Sequence, residues 1–135
     1  MIKLGWHSLG TSFDCTCGHT HTLPIKAVYQ GLDASKRLAD FAKENCGKIG
    51  LLLSDENTYA VAGDEVSKAL TDAGKTIRQH QYGSAIFEAT ESLGDDVTIL
   101  AAECDFIVAV GSGTICDLAK YAGDKLKVPV ILYGT

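Results

Sequence analysis

The run Gly111-Ser112-Gly113-Thr114-Ile115-Cys116-Asp117 follows directly on the apolar stretch "DFIVAV" and opens the amphipathic stretch "TICDLAKYAG". Glycines at 111 and 113 remove side chains where the backbone must turn sharply from strand into helix. The first amides of that helix have no intrahelical acceptor, and the positive end of the helix dipole stands behind them. Such a terminus receives phosphate, and the hydroxyls of Ser112 and Thr114 add donors. Position 116 is Cys, so the run is not the G-x-G-x-x-G fingerprint, and no G-K-[ST] follows to make a Walker loop. From spacing alone, phosphate binding and a plain tight turn stand level. Cys116, at a helix start, is a candidate reactive thiol, though a small packed residue under the loop is the better reading.

Asp55 closes a second apolar run, "LLLSDENTY". A carboxylate there can accept ribose hydroxyls, as acidic residues do in dinucleotide folds. Position alone favours Asp55 or Asn57 as the N-cap of the next helix. Asp117 is expected in the first turn of its helix, where the dipole stabilises negative charge, with Lys120 within ion-pairing reach. The segment "DCTCGHTHTLP" alternates Cys15, Cys17, His19 and His21. Zinc sites use such ligands, but with cysteines usually spaced C-x2–4-C. A single strand would spread the four over roughly 20 Å, whereas a turn at Gly18 would fold the cysteines back toward the histidines. The tight C-x-C spacing favours a hairpin without a metal ion, and none is assigned.

The elements that must position these residues follow from periodicity. Residues 1–25 read as a β-hairpin segment and residues 26–135 as the main domain. "AVYQ" is short and strand-like. "DASKRLADFAKENCG" puts Ala34, Leu38, Phe41 and Ala42 on one helical face, with Asp33 as N-cap and Gly47 as the stop. "KIGLLLS" is a buried strand. "DEVSKALTDAG" is a second helix through Val66, Ala69, Leu70 and Ala73, and "KTIRQHQY" alternates like a strand nearer an edge. "SLGDDVTILAAEC" carries a third stripe: Leu93, Val97, Leu100, Ala101 and Cys104. "DFIVAVG" is a strand, "TICDLAKYAG" a helix burying Ile115, Leu118, Ala119 and Ala122, and "VPVILY" a last strand. Alternating apolar strands and helices predict an α/β fold: a Rossmann-like parallel sheet with helices on both faces, its ligands at the carboxyl ends of the strands.

Composition narrows the function. The chain has 135 residues, 46% hydrophobic and 21% charged, with a net charge of −5. One domain of ordinary composition fits that length. The negative balance argues against a nucleic-acid binder. No run approaches the ~18 apolar residues of a membrane span, and "MIKLGWHSLG" has no signal core. Five scattered cysteines, two of them too close to bridge without strain, predict a reducing cytoplasm and no disulfide framework.

Taken in order, "CTCGHTHTLPI", "SDENTYAVAG", "VAVGSGTICDLAKYAG" and "VPVILYGT" resemble the N-terminal half of glycerol-1-phosphate dehydrogenases. These lie within the superfamily of iron-containing alcohol dehydrogenases, glycerol dehydrogenase and 3-dehydroquinate synthase. The resemblance runs from about residue 13 to the end. It implies that the Gly111–Thr114 loop receives the pyrophosphate of NAD(H) or NADP(H), with Asp55 near the adenosine ribose and Thr58 close by. Asp117 matches an acidic position of the family's loop pattern. Thr135 matches the Thr of a cofactor-lining segment, although Tyr133 and Gly134 stand where the family usually has Val-Pro. The family's second, all-helical domain, which supplies one Asp and two His to a divalent metal, has no counterpart here. The expectation is therefore the dinucleotide-binding half of a metal-requiring dehydrogenase that interconverts dihydroxyacetone phosphate and sn-glycerol 1-phosphate, without catalytic residues and inactive alone. The surface left by the missing domain would favour self-association. The rivals are half of a 3-dehydroquinate synthase-like or other iron-type relative, and a non-catalytic module that binds a nucleotide or a partner chain.

Overall fold

The computed structural model of the chain describes residues 5–135 and divides them into two compact units, the first ending at Leu32 and the second running from Asp33 to Thr135.

In the first unit, a 3-10 turn (Trp6–Ser8) leads into a hairpin. Strand β1 (Ser12–Asp14) pairs antiparallel with β2 (Thr20–Thr22), with Phe13 opposite His21 and Asp14 opposite Thr20. Gly18 makes the turn at φ +87°, in the left-handed region where glycine has no Cβ penalty. The Cys15 N–H donates to the His19 carbonyl and the Gly18 N–H to the Cys15 carbonyl, both at 3.0 Å. The only buried residue described in this unit is Ser8. "AVYQ" is not a strand: residues 23–30 have no regular structure, and Val28 and Tyr29 are about half exposed. Four apolar-leaning residues do not make a strand without a neighbour to take up their backbone groups.

The second unit is a four-stranded parallel sheet, order β4-β3-β5-β6, of β3 (Ile49–Asp55), β4 (Thr76–Tyr82), β5 (Phe106–Gly111) and β6 (Val130–Gly134). The strand with an alternating pattern, β4, is an edge strand, as its polarity predicts. Helix α1 (Ala34–Asn45) precedes β3. Between β3 and β4 the chain makes one α-helical turn, α2 (Glu56–Thr58), a π-helical turn (Tyr59–Gly63) and then α3 (Asp64–Asp72). Helix α4 (Glu91–Leu100) joins β4 to β5, and α5 (Gly113–Leu126) joins β5 to β6.

Side-chain alternation divides the core. Leu51, Leu53, Ile107 and Ala109 pack on one face with Val97 and Ala101 at the α4 end and with Ile115, Leu118, Ala119 and Ala122 of α5. Leu52, Phe106, Val108 and Val110 pack on the other with Leu38 and Ala42 of α1 and Val66 and Leu70 of α3. Both central strands are thus covered on both faces, as their unbroken apolar runs require.

Three local expectations are corrected. Gly47 does not end α1 by a left-handed turn; Cys46 caps it, and Gly47 leaves room for Asp105, whose carboxylate accepts the Ile49 N–H at 2.8 Å. The third helix stops at Leu100, which is 40% exposed, so Ala101 rather than Leu100 completes the stripe from Val97. Asp33 sits at the α1 N-cap position but makes no capping bond, because its carboxylate pairs with Arg37 at 3.0 Å. No disulfide joins the cysteines, and no helix described is long and apolar enough to cross a membrane.

Candidate functional site

The chain leaves β3 toward β4 on one side, then crosses back over β3 to β5 on the other. Strand order therefore reverses between β3 and β5, and the segments that follow them depart onto opposite faces of the sheet. A crevice opens at their carboxyl ends. Asp55 ends one strand and Gly111 the other.

The cleft there has a volume of about 190 Å³ and is lined by Asp55 and Asn57, by residues 83–87 of the loop after β4, and by Ser112, Thr114 and Ile115. It falls short of the roughly 300–1,000 Å³ of a complete small-molecule site. Asp55 carries the one ionisable side chain in this lining. Phe87 holds the 83–87 loop against the sheet, its ring 4.7 Å from that of Tyr82 and packed on the core.

Two helix starts meet here and are finished differently. At α2, Asp55 Oδ1 accepts the Thr58 N–H at 2.8 Å and Thr58 Oγ1 accepts the Asp55 N–H at 3.0 Å, a reciprocal capping box. At α5, Ser112 is the N-cap residue but its hydroxyl makes no capping bond. The first amide of α5 to find a carbonyl is that of Cys116, which donates to Ser112 O at 3.0 Å. The amides of Gly113, Thr114 and Ile115 are left with the donor capacity and partial positive charge of a 14-residue helix.

The glycines mark the same edge. Elsewhere each described glycine either has a positive φ or touches a neighbour that a Cβ would crowd. At Gly111, for instance, a Cβ would lie 3.0 Å from that of Ile115, so the residue lets α5 close on the strand. Gly83, Gly113 and Gly134 have neither reason: their backbone angles are open to any residue and nothing lies within 4 Å of an added Cβ. All three follow or end strands at the carboxyl edge of the sheet. The fold makes no demand for glycine there, and a ligand approaching the backbone would.

Of the residues expected at a site, Asp55, Ser112 and Thr114 line the cleft, with Gly111 and Gly113 in the same loop. Thr58 stands behind Asp55 as its capping partner. Asp117 is elsewhere: α5 begins one residue before the amphipathic pattern, so Asp117 lies beyond the first turn, and its carboxylate meets Lys120 Nζ at 2.7 Å. Thr135 is exposed just past β6, whose Gly134 is in register with Gly111. Cys116 is half-buried, its thiol 3.8 Å from the Gly111 carbonyl, and burial pushes its pKa up. That is the packed residue rather than the reactive one. Nothing in the residue pattern signals the 83–87 wall, since a loop's fold back over the sheet has no period. Nor does that pattern signal Ser54, whose hydroxyl is buried without a partner one residue before Asp55.

Residues 29–135 match the sequence profile of the family described as iron-containing alcohol dehydrogenase. The glycerol-1-phosphate dehydrogenase [NAD(P)+] of Halalkalibacterium halodurans is 32% identical over 127 residues, which are 90% of this chain and 32% of that protein. That of Methanosarcina mazei is 36% identical over 85 residues, 63% of this chain and 23% of its own length. Among solved structures, the glycerol dehydrogenase of Schizosaccharomyces pombe superposes with a TM-score of 0.66 at 24% identity, covering 75% of this chain and 25% of that one. The chain thus spans about a third of the length of the curated relatives it matches.

Proposed function

The chain belongs to the iron-containing alcohol dehydrogenase family, and from that premise we propose that its second unit binds NAD(H) or NADP(H) as the nucleotide wall of a glycerol-1-phosphate dehydrogenase. The observation that carries the reading is the α5 start, where unused amides sit beside a glycine the fold does not need, at the point where strand order reverses.

In this reading the amides of Gly113 and Thr114 donate to pyrophosphate oxygens, and the hydroxyls of Ser112 and Thr114 add two further bonds. The missing Cβ of Gly113 lets the phosphate reach the backbone. The net charge of −5 would repel an anionic coenzyme at long range, so attraction comes from these local dipoles. Asp55 Oδ2, on the carboxylate that caps α2 through Oδ1, accepts a ribose hydroxyl. Thr135 borders the same edge from β6. The coenzyme supplies the hydride: dihydroxyacetone phosphate, NAD(P)H and a proton give sn-glycerol 1-phosphate and NAD(P)+. A divalent ion is part of the family's chemistry. Among the described residues the cluster with metal-binding reach, Cys15, Cys17 and His21, lies in the hairpin unit; the cleft lining offers Asp55 alone, so no step is assigned to such an ion here.

The test is a calorimetric titration of the chain with NADH and NADPH, beside Gly113→Val. A Cβ added at 113 has no neighbour within 4 Å, so the variant should fold and yet bind at least about tenfold more weakly. Equal binding by the variant would remove the phosphates from this loop. No saturable binding at millimolar coenzyme would overturn the reading for this chain.

A further inference from the structure

We propose that Cys15, Cys17 and His21 form a zinc site that cross-links the N-terminal hairpin. The ligand atoms Cys15 Sγ, Cys17 Sγ and His21 Nε2 or Nδ1 all lie within 4.8 Å of one another. The Cys17 Sγ to His21 Nε2 distance is 3.1 Å. Tetrahedral zinc, with Zn–S about 2.3 Å and Zn–N about 2.0–2.1 Å, holds its ligand atoms roughly 3.6–3.8 Å apart. Side-chain adjustments of about 1 Å, well within rotamer freedom on an exposed surface, convert one arrangement into the other.

The hairpin explains why a tight C-x-C works here. Residues 13, 15 and 21 share one face of the ladder, because Phe13 pairs with His21 and side chains alternate. The intervening residues use the other face: Thr20 Oγ1 donates to Asp14 Oδ1 at 2.6 Å, and Ser12 and Thr22 hydroxyls meet at 2.7 Å. The turn at Gly18 then carries Cys17 back over the ladder to His21. The Phe13 ring, 5.9 Å from the imidazole, steadies it. His19 stays outside the group, although its carbonyl takes the Cys15 N–H. Three protein ligands leave the fourth position to water.

The ligand set selects the ion: two thiolates and an imidazole favour zinc over magnesium or calcium. Among its described residues the unit has no other cross-link. Its strands are three residues each, Ser8 is the one buried residue described, and its cysteines are free. A hairpin of that size is marginal in water, and units this small usually need a metal or a disulfide. Uptake of zinc converts the two thiols to thiolates and releases both protons to solvent.

The experiment uses the full chain, reduced and stripped with chelator, titrated with zinc ions and separately with cobalt(II). One equivalent should bind, and cobalt should give thiolate-to-metal charge-transfer absorption with the intense d–d bands of a tetrahedral site. Cys17→Ser and His21→Gln should each weaken zinc by more than about 100-fold, above the 10–100-fold that loss of an outer-shell partner costs. His19→Gln should leave affinity unchanged. Zinc should also slow hydrogen exchange at the Cys15 and Gly18 amides, a readout that survives if the variants misfold. A cobalt spectrum without thiolate charge transfer, or equal zinc affinity in Cys17→Ser, would overturn the site. Coenzyme titration reads the other unit, so the two proposals fail separately.

Discussion

At Asp55 one carboxylate oxygen is already committed: Oδ1 caps α2 by accepting the Thr58 amide. The sequence offered cap and ribose ligand as alternatives, but a carboxylate has two acceptor oxygens and the geometry allows both. Substitution separates the roles. Asp55→Ala removes the cap and should lower stability by about 1 kcal/mol in urea unfolding. Asp55→Asn keeps an acceptor for the Thr58 amide, so stability should move by only a few tenths of a kcal/mol. It removes the charge that strengthens a hydrogen bond to a ribose hydroxyl, so coenzyme should bind several-fold more weakly. An Asn variant with unchanged stability and unchanged coenzyme affinity would leave Asp55 as a cap alone. Residue type and strand-end position made Asp55 legible. Asp117 was misplaced because a one-residue shift in a helix start, which no side-chain pattern fixes, carries it out of the first turn.

Between elements, α4 and α5 meet by a close approach through glycine. Gly94 on α4 packs under Tyr121 of α5, where a Cβ would run into the ring. Tyr121 is held there by its hydroxyl, 2.9 Å from Asp95 Oδ1, and by Lys125 over its face, 4.9 Å from the centroid. Two effects of Gly94→Ala oppose each other. Alanine improves helix propensity by about 0.8–1.0 kcal/mol, while overpacking costs about 1–3 kcal/mol. The crowded atoms include the ring carbons nearest the Tyr121 backbone, which cannot swing away cheaply, so net destabilisation is expected in urea unfolding. In a Tyr121→Ala background the clash is gone, and the same substitution should become neutral or stabilising. A loss that persists without the ring would mean that Gly94 answers to something else. The helices and strands themselves were legible, since their apolar periods are long and tertiary packing agrees with them. The π-helical turn at Tyr59–Gly63 was not, because no side-chain period marks it; there the Tyr59 ring fills the space a Gly63 Cβ would need. "AVYQ" failed for the converse reason, a fitting local pattern with no partner strand.

For the molecule as a whole, both core clusters draw every buried side chain from the second unit, from Leu38 on α1 to Ala122 on α5. The hairpin unit contributes none of them. A chain beginning at Asp33 should therefore fold with a urea midpoint close to that of the full chain. It keeps α1, whose Leu38 and Ala42 are fully part of the second cluster, and it keeps all four parallel strands. Trypsin offers the complementary test, because Lys26 is exposed in a segment without regular structure. Cleavage there should come first under native conditions and leave a resistant C-terminal fragment. A fragment from Asp33 that unfolds non-cooperatively would show that the second unit does not fold alone, and a digest whose first cut falls within residues 33–135 would show that Lys26 is not the most accessible site. The first outcome would also define the smallest piece on which coenzyme binding can be measured. The cleft is lined by Asp55, Asn57, residues 83–87, Ser112, Thr114 and Ile115, all of them in the second unit, so a fragment that folds should bind NADH as the full chain does, whatever ion the hairpin holds.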